Sequence, residues 1–215
     1  NAVDSNPDQA WTGYMNVFEI DADGVQGGYQ FGQGWGVADL QTTLNVDAPN
    51  IILEPNFNAY NADDAYWSNG EGEGNKFMEA STYVESGDAF NGADLTFTGS
   101  VYENTLGDAH TASYFIKSLD PSAGYSDSLG GAYVFEMPAS GEFSVTVDGA
   151  LLPAGQIVQY GFVVTGRNAN PENTGYGRVV IGDAGLSVSE PVIELDMRIY
   201  PNPSNGSYVT IQTPI

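Results

Sequence analysis

Polar and apolar residues alternate with a period of two over most of this chain. The alternation is clearest at residues 95–102, where the sequence reads LTFTGSVY. Alternation or short apolar runs also occur at residues 14–20, 38–44, 51–53, 77–84, 110–119, 131–137, 143–147, 158–164 and 178–181. This pattern is typical of half-buried strands, Gly, Pro and Asn separate the segments, and no segment keeps a 3.6-residue period for three turns. The sequence therefore predicts an all-β fold, an antiparallel jelly-roll-type β-sandwich of about ten strands.

Residues 27–36 form a glycine-rich segment with interspersed aromatic residues. We expect a bulged or bent strand here rather than a phosphate-binding loop, because aromatic side chains recur within it. Trp35 lies in this segment, and an indole in such a strand either fills core space or offers a flat face to a ligand.

The longest irregular stretch, residues 56–75, is the first candidate for a binding site. A loop of this length is uncommon in a compact domain unless it is functional or disordered, and its large aromatic residues argue against disorder. Sugars bind to flat aromatic faces flanked by polar groups that hydrogen-bond the hydroxyls. The loop offers both through Tyr60, Tyr66, Trp67 and Asn58.

A second polar loop, residues 166–176, has similar chemistry and contributes Arg167 and Asn170 as candidate ligand contacts. We expect the two loops to lie at the same end of the sandwich. Together with Trp35, these residues complete the predicted glycan site.

Acidic residues in the long loop are candidate ligands for a structural calcium ion. Carboxylates are hard oxygen ligands, which calcium prefers. The candidates are Asp63, Asp64, Glu71 and Glu73. The alternative is that these side chains only keep the loop hydrated.

Charge and composition narrow the function classes. The chain has 28 acidic and 5 basic residues, a formal net charge of −23, and no cysteine. Nucleic acids and anionic membrane surfaces would be repelled, so we expect neither as a partner, and a polyanionic glycan would need bridging calcium. No apolar run is long enough to span a membrane, and the sequence has no charged-then-apolar leader, so we expect no membrane insertion and a mature exported protein.

Enzymatic activity is the weakest of the function classes. A Ser-His-Asp triad would need His110, the only histidine, which lacks a nearby nucleophile motif and which we interpret as a surface or edge residue. One histidine without cysteine also disfavours zinc. A glycosidase needs two carboxylates, but no pair is singled out among so many.

The C-terminal segment Tyr-Pro-Asn-Pro-Ser-Asn-Gly, residues 200–206, lies between apolar β-formers, which predicts strand, tight turn and strand. The segment resembles the opening of the C-terminal sorting domain of cargo secreted by the type IX system of Bacteroidota. The resemblance implies delivery to the cell surface or the medium by that machinery. The predicted organisation is an entry segment (1–10), the sandwich (11–185), a linker (186–196) and a truncated start of the sorting domain (197–215).

Residues 11–181 resemble a module found beside catalytic domains in polysaccharide-degrading enzymes of marine Bacteroidota. The similar pieces are WTGYMNVF at 11–18, GWGVADL at 34–40, GNKFMEA at 74–80, LTFTG at 95–99 and VQYGF at 158–162. The resemblance implies a carbohydrate-associated β-sandwich. Separately, the segment around Ser128, Asp-Ser-Leu, resembles the short O-glycosylation sequon of that phylum.

The main hypothesis is a non-catalytic carbohydrate-binding module that binds a neutral polysaccharide through loop aromatics. The alternative is a structural or adhesive surface protein that self-associates or binds a protein partner. A glycan-active enzyme is the third hypothesis.

Overall fold

The computed structural model describes residues 1–22 and 24–184, and the backbone of residues 198–200 and 210–212. Within this part of the chain, thirteen strands form a six-stranded and a seven-stranded sheet that face each other, and a further pair of strands lies near the C-terminus. The predicted all-β sandwich is confirmed. No helix among the described residues is long and apolar enough to cross a membrane.

The six-stranded sheet is built around its longest strand, β7. One edge of β7 pairs with β11, and the other pairs with β1 in parallel and with β13 in antiparallel orientation, after which β5 and β4 follow. Its strands are β1 (Ala2–Val3), β4 (Thr42–Asn45), β5 (Asn50–Leu53), β7 (Leu95–Asn104), β11 (Gly141–Val147) and β13 (Val179–Gly182). The predicted entry segment, residues 1–10, thus contributes a strand, and the Ser5 hydroxyl donates a hydrogen bond to the Gly182 carbonyl over 2.6 Å.

The seven-stranded sheet is antiparallel throughout, with the order β10-β8-β12-β6-β2-β3, and β9 pairs with β8. Its strands are β2 (Trp11–Ile20), β3 (Gln26–Trp35), β6 (Phe77–Gly87), β8 (His110–Asp120), β9 (Ser126–Asp127), β10 (Val134–Glu136) and β12 (Ile157–Arg167). The glycine-rich β3 is an edge strand of this sheet, and register shifts in its pairing with β2 confirm the predicted bulged strand.

The strand order is that of a jelly roll. From β5 onward the chain crosses between the sheets at every step except from β8 through β9 to β10, and it produces the orders β5-β13-β7-β11 and β6-β12-β8-β10. Two interlocked Greek keys give this arrangement of eight strands. The strands β2, β3 and β4 extend the sheets beyond that unit.

Aromatic rings dominate the core between the sheets. The Trp11 ring stacks on Phe162 with 5.5 Å between centroids, and Phe97 lies 5.5 Å from Phe143. Phe97 and Phe162 are fully buried. Such rings contribute strongly to stability through their buried area and their edge-to-face contacts.

A second, smaller core continues along the same face of β2 and β6. Met15 and Val17 on β2 pack there with Met78 and Ala80 on β6 and with Leu40 from a short 3-10 turn, Ala38–Leu40. Trp67 from the long loop packs against this cluster, so the loop closes the end of the core.

The C-terminal pair consists of β14 (Arg198–Tyr200) and β15 (Thr210–Gln212), which are antiparallel. This confirms a strand on each side of the predicted turn. The predicted turn segment, residues 200–206, lies outside the described residues from position 201 onward, and so does the whole predicted linker, residues 186–196.

Candidate functional site

The long loop is ordered by its own hydrogen bonds. The Trp67 amide donates to the Asp64 carbonyl over 2.9 Å, and Ser68 forms a β-bridge with Gly74. The Asn69 side-chain oxygen accepts the amides of Glu71 and Glu73. These turns make the segment a compact cover rather than an open loop.

The two tryptophans predicted to contact a ligand both pack inward. Trp67 lies edge-on to Phe31 at 6.4 Å and to Tyr66 at 4.8 Å, and Trp67 and Trp35 both contact the second core. The Trp35 indole N–H is buried and has no hydrogen-bond partner among the described residues. Part of each ring therefore serves packing, and ligand contact by either ring stays a prediction.

Tyr66 is held by a buried cation. The Lys76 ammonium lies 4.1 Å from the centre of the Tyr66 ring and 3.0 Å from a carboxylate oxygen of Glu19. A cation over an aromatic face is attracted by the negative charge of that face. Partial burial, and secondarily the Glu19 charge, raises the pKa of Tyr66.

The two predicted loops do lie at the same end of the sandwich, where side chains join them. The Arg167 guanidinium donates to a Glu73 carboxylate oxygen over 2.9 Å and to the Gly74 carbonyl over 3.0 Å. The Asn170 amide donates to the Gly72 carbonyl over 2.8 Å. The loops meet as predicted. Arg167 and Asn170 use side-chain N–H donors in the hydrogen bonds that join them.

His110 lies beneath this junction and is buried. The sequence-based interpretation of His110 as a surface or edge residue is therefore wrong. The side chain is 6% exposed and lies edge-on to Tyr176 at 5.6 Å between ring centroids. Its Nε2 is 2.8 Å from the Arg167 carbonyl, which can only accept, so Nε2 carries the proton and the buried Nδ1 has no partner within the described chain. Burial lowers the pKa of His110, against the smaller opposing effect of that hydrogen bond.

The remaining loop candidates are more exposed. Asn58 is exposed, and the Tyr60 hydroxyl is 3.5 Å from the Ser68 hydroxyl. Asp64 accepts the Tyr66 amide over 2.9 Å, and Glu73 is paired with Arg167. Across residues 1–22 and 24–184, no group of three acidic or histidine side chains is arranged to hold a metal. Calcium binding by Asp63, Asp64, Glu71 and Glu73 stays a prediction.

A second candidate site, which the sequence analysis missed, is a groove on the outward face of the seven-stranded sheet. Its cavity volume is about 490 Å³. The lining residues are Tyr14, Asn16, Ser81, Tyr83, Glu85, Phe115, Lys117, Leu119, Gly124, Tyr125 and Gln159. They come from four adjacent strands and from the turn after β8.

Gly161 on β12 is a buried neighbour of the lining residues of this groove. In the sheet register it lies between Tyr83 on β6 and Phe115 on β8. A Cβ atom at position 161 would lie 2.3 Å from the Thr82 carbonyl oxygen and 2.6 Å from the Tyr83 Cα, so the position requires glycine. The neighbouring Phe115 also borders the groove, but its side chain is fully buried and the Lys117 ammonium lies 4.6 Å from its ring centre.

Polar side chains also line the groove. The Gln159 amide donates to a Glu85 carboxylate oxygen over 2.8 Å, and Lys117 lies on the other side of Gln159 in the register. Burial, and secondarily the Glu85 charge, raises the pKa of Tyr83. The Tyr83 hydroxyl therefore stays protonated at neutral pH and can donate a hydrogen bond.

Tyr125 closes one end of the groove with an unusual backbone conformation. Its φ angle is +62°, and its side chain is 60% exposed. It follows a 3-10 turn, Pro121–Ala123, in which the Asp120 carboxylate accepts the Ser122 amide over 2.8 Å. A bulky residue in the left-handed region is strained, and such strain concentrates at functional sites.

The sequon candidate Ser128 lies in the loop that follows β9. The residue is exposed, and its hydroxyl donates to the Ser118 carbonyl over 2.7 Å. Glycosylation of Ser128 stays a prediction.

The signal for the groove is present in the sequence but indirect. Gln159 and Gly161 alternate with core residues on β12, as Tyr83 and Glu85 do on β6. Only the strand pairing brings these outward positions together.

Comparison of the chain with family models, with curated proteins and with solved structures finds no significant match.

Proposed function

We propose that this protein is a non-catalytic polysaccharide-binding module whose ligand lies in the groove of the seven-stranded sheet. One observation carries the proposal: a groove across four adjacent strands is lined by exposed tyrosines and by amide, carboxylate and ammonium groups. This combination matches the two faces of a sugar, which are apolar C–H groups and hydroxyls.

The groove has the dimensions of a binding site for a short stretch of polysaccharide. It crosses from β2 over β6 and β12 to β8, three strand spacings or about 14 Å. Tyr14 lines it at one side and Tyr125 at the other, and both are at least 36% exposed. A bound chain would stack on these rings while the half-buried Asn16 side chain hydrogen-bonds its hydroxyls.

Electrostatics favours a ligand with a mainly neutral backbone. The formal net charge of −23 would repel a dense polyanion over about 8 Å at physiological ionic strength. Steric fit and hydrogen bonds must then supply most of the affinity.

The arrangement of carboxylates supports binding rather than hydrolysis. Among the described residues that line the groove, Glu85 is the only one with a carboxylate. Glu79, on the same face of β6, is six residues away from it along the strand. At the rise of a β-strand this separation is about 20 Å, whereas paired glycosidase carboxylates lie about 5–9.5 Å apart.

A structural or adhesive role is the second candidate. It is favoured by β3, a ten-residue outermost strand next to which Val25 is 55% exposed, because such an edge can pair with another chain. The large negative charge opposes self-association. Concentration-dependent assembly in sedimentation, lost when a lysine or proline is placed in β3, would support this role.

Secretion is part of the same proposal, with residues 197–215 as the address read by the type IX machinery. Deletion of the chain from residue 197 onward in the native host is expected to remove the protein from the cell surface and the medium. Unchanged export would contradict this assignment.

The binding proposal is tested by a screen of soluble neutral polysaccharides in affinity gels, with two variants beside the unmodified protein. Tyr14→Ala removes a groove ring and is expected to weaken retardation. Tyr102→Ala removes a tyrosine of similar exposure on the opposite, six-stranded sheet and is expected to leave retardation unchanged. Equal effects of the two variants, or no binding of any polysaccharide, would contradict the proposal.

A further inference from the structure

Lys117 differs from the other three basic side chains that the structure describes in having no carboxylate partner among the described residues. Lys76 pairs with Glu19 at 3.0 Å, Arg167 with Glu73 at 2.9 Å, and Arg178 with Glu103 at 3.2 Å. The fifth, Arg198, lies where the structure describes only the backbone. Within the described chain, Lys117 has no carboxylate oxygen within 4.0 Å, although acidic residues outnumber basic ones by 28 to 5.

The unpaired ammonium is also positioned in the groove. Lys117 lines it from β8, and its Nζ lies 4.6 Å from the centre of the buried Phe115 ring. The ring attracts the ammonium without neutralising it, so the N–H donors that point away from the ring stay available. Glu85 is two strands away, about 10 Å across the sheet, with Gln159 between them.

A neutral sugar is a weaker complement to this group than an anion. Its hydroxyl oxygens can accept hydrogen bonds from the ammonium in place of water, but they do not neutralise its charge. An anionic oxygen in the same place would form a charge-assisted hydrogen bond, which is about twice as strong as a neutral one.

We therefore propose that the groove recognises an acidic substituent on the glycan, a carboxylate or a sulfate ester, through Lys117. This inference rests on the proposed function and narrows its ligand class to a neutral backbone with sparse acidic groups. A glycan with few acidic groups fits both the positive charge of Lys117 and the negative charge of the whole protein. One acidic group contacts Lys117, and the rest of the protein repels further anions.

The test uses matched polymers. Soluble glucan, mannan, galactan and xylan are each measured before and after light oxidation of a small fraction of their primary hydroxyls to carboxylates; for xylan, which lacks that hydroxyl, the pair is glucuronoxylan and its carboxyl-reduced form. Lightly sulfated samples of the same backbones distinguish the sulfate ester from the carboxylate. We expect at least one acidic polymer to bind about tenfold more tightly than its neutral counterpart.

Three variants assign that preference to Lys117. Lys117→Gln is expected to abolish the preference, whatever its effect on the neutral polymer, and Lys117→Arg is expected to keep it. Glu85→Gln is expected to strengthen binding of the acidic polymer relative to its neutral counterpart, because it removes a negative charge from the groove. Thermal unfolding checks that each variant is folded.

The outcomes separate the inference from the proposed function. Equal binding of acidic and neutral polymers, or a preference that survives Lys117→Gln, would overturn the role of Lys117 and leave the polysaccharide-binding proposal standing. Absence of binding by every polymer, neutral and acidic, would overturn both.

Discussion

Tyr125 is a candidate functional residue of the groove because its backbone conformation costs free energy. A left-handed backbone costs a non-glycine residue about 1–2 kcal/mol, yet Tyr125 adopts it and exposes its ring at the end of the groove. Glycine at this position would relieve the strain, at the expense of greater freedom in the unfolded chain.

We predict that Tyr125→Gly weakens polysaccharide binding and leaves the Tm unchanged or raised. Tyr125→Ala is the control, because it removes the ring and keeps the strain, so it should weaken binding equally without the gain in stability. Thermal unfolding and affinity gels measure both effects. Full binding by the glycine variant would mean that the ring has no role in the site.

His110 makes stability depend on pH. Its pKa in the folded protein lies below the unfolded value of about 6.5, so the unfolded chain takes up a proton first as the pH falls. Protonation of His110 should therefore not change the free energy of unfolding above about pH 6.5. That free energy should fall with acidification between that pH and the folded pKa, by up to about 1.4 kcal/mol per pH unit.

The measurement is urea unfolding at pH 7.5 and 5.5 for the unmodified protein and for His110→Gln. Glutamine cannot take up the proton, so the variant should lose less stability over this interval. Equal losses would show that His110 does not control this part of the pH dependence.

At the scale of elements, Asn168 joins the two loops. It is fully buried, its Oδ1 accepts the Lys76 amide over 2.9 Å, and its amide donates to the Trp67 carbonyl over 2.8 Å. Gly74 is required beside it, because a Cβ there would lie 1.8 Å from the Asn168 carbonyl oxygen.

We predict that Asn168→Ala lowers the free energy of unfolding by about 3 kcal/mol, because two buried backbone groups lose their partners. Limited proteolysis should then cut the loop of residues 56–75 faster. Asn173→Ala is the control, since that exposed side chain makes only long contacts of 3.3–3.4 Å. Similar losses for both variants would contradict the role of Asn168.

The strands were predictable from the sequence, whereas the groove was not. Alternation identifies a strand such as β7 because one side of it is buried and the other is not. Alternation does not report which strands are neighbours, and the lining residues come from four strands that only the pairing places side by side. Trp67 illustrates the same limit, since its loop position gave no sign of the second core that it covers.

At the scale of the whole molecule, the formal charge of −23 opposes the compact state. Salt shortens the Debye length from about 30 Å at 0.01 M to about 8 Å at 0.15 M, so it should weaken this repulsion. We predict that the Tm rises over this range of sodium chloride. A falling Tm would mean that attractive ion pairs dominate.

The same experiment tests the predicted calcium site. Calcium chloride at matched ionic strength should raise the Tm further if the loop acids bind the ion, and EDTA should reverse the gain. Equal effects of the two salts would contradict the site.

The central claim, that polysaccharide binds in the groove of the seven-stranded sheet, is tested most directly by mapping backbone amide shifts by NMR during titration with a bound polysaccharide fragment. We predict that the largest changes fall on β6, β8 and β12 around Tyr83, Phe115 and Gly161. Changes confined to the loops of residues 56–75 and 166–176 would contradict the groove and return the site to the loop aromatics.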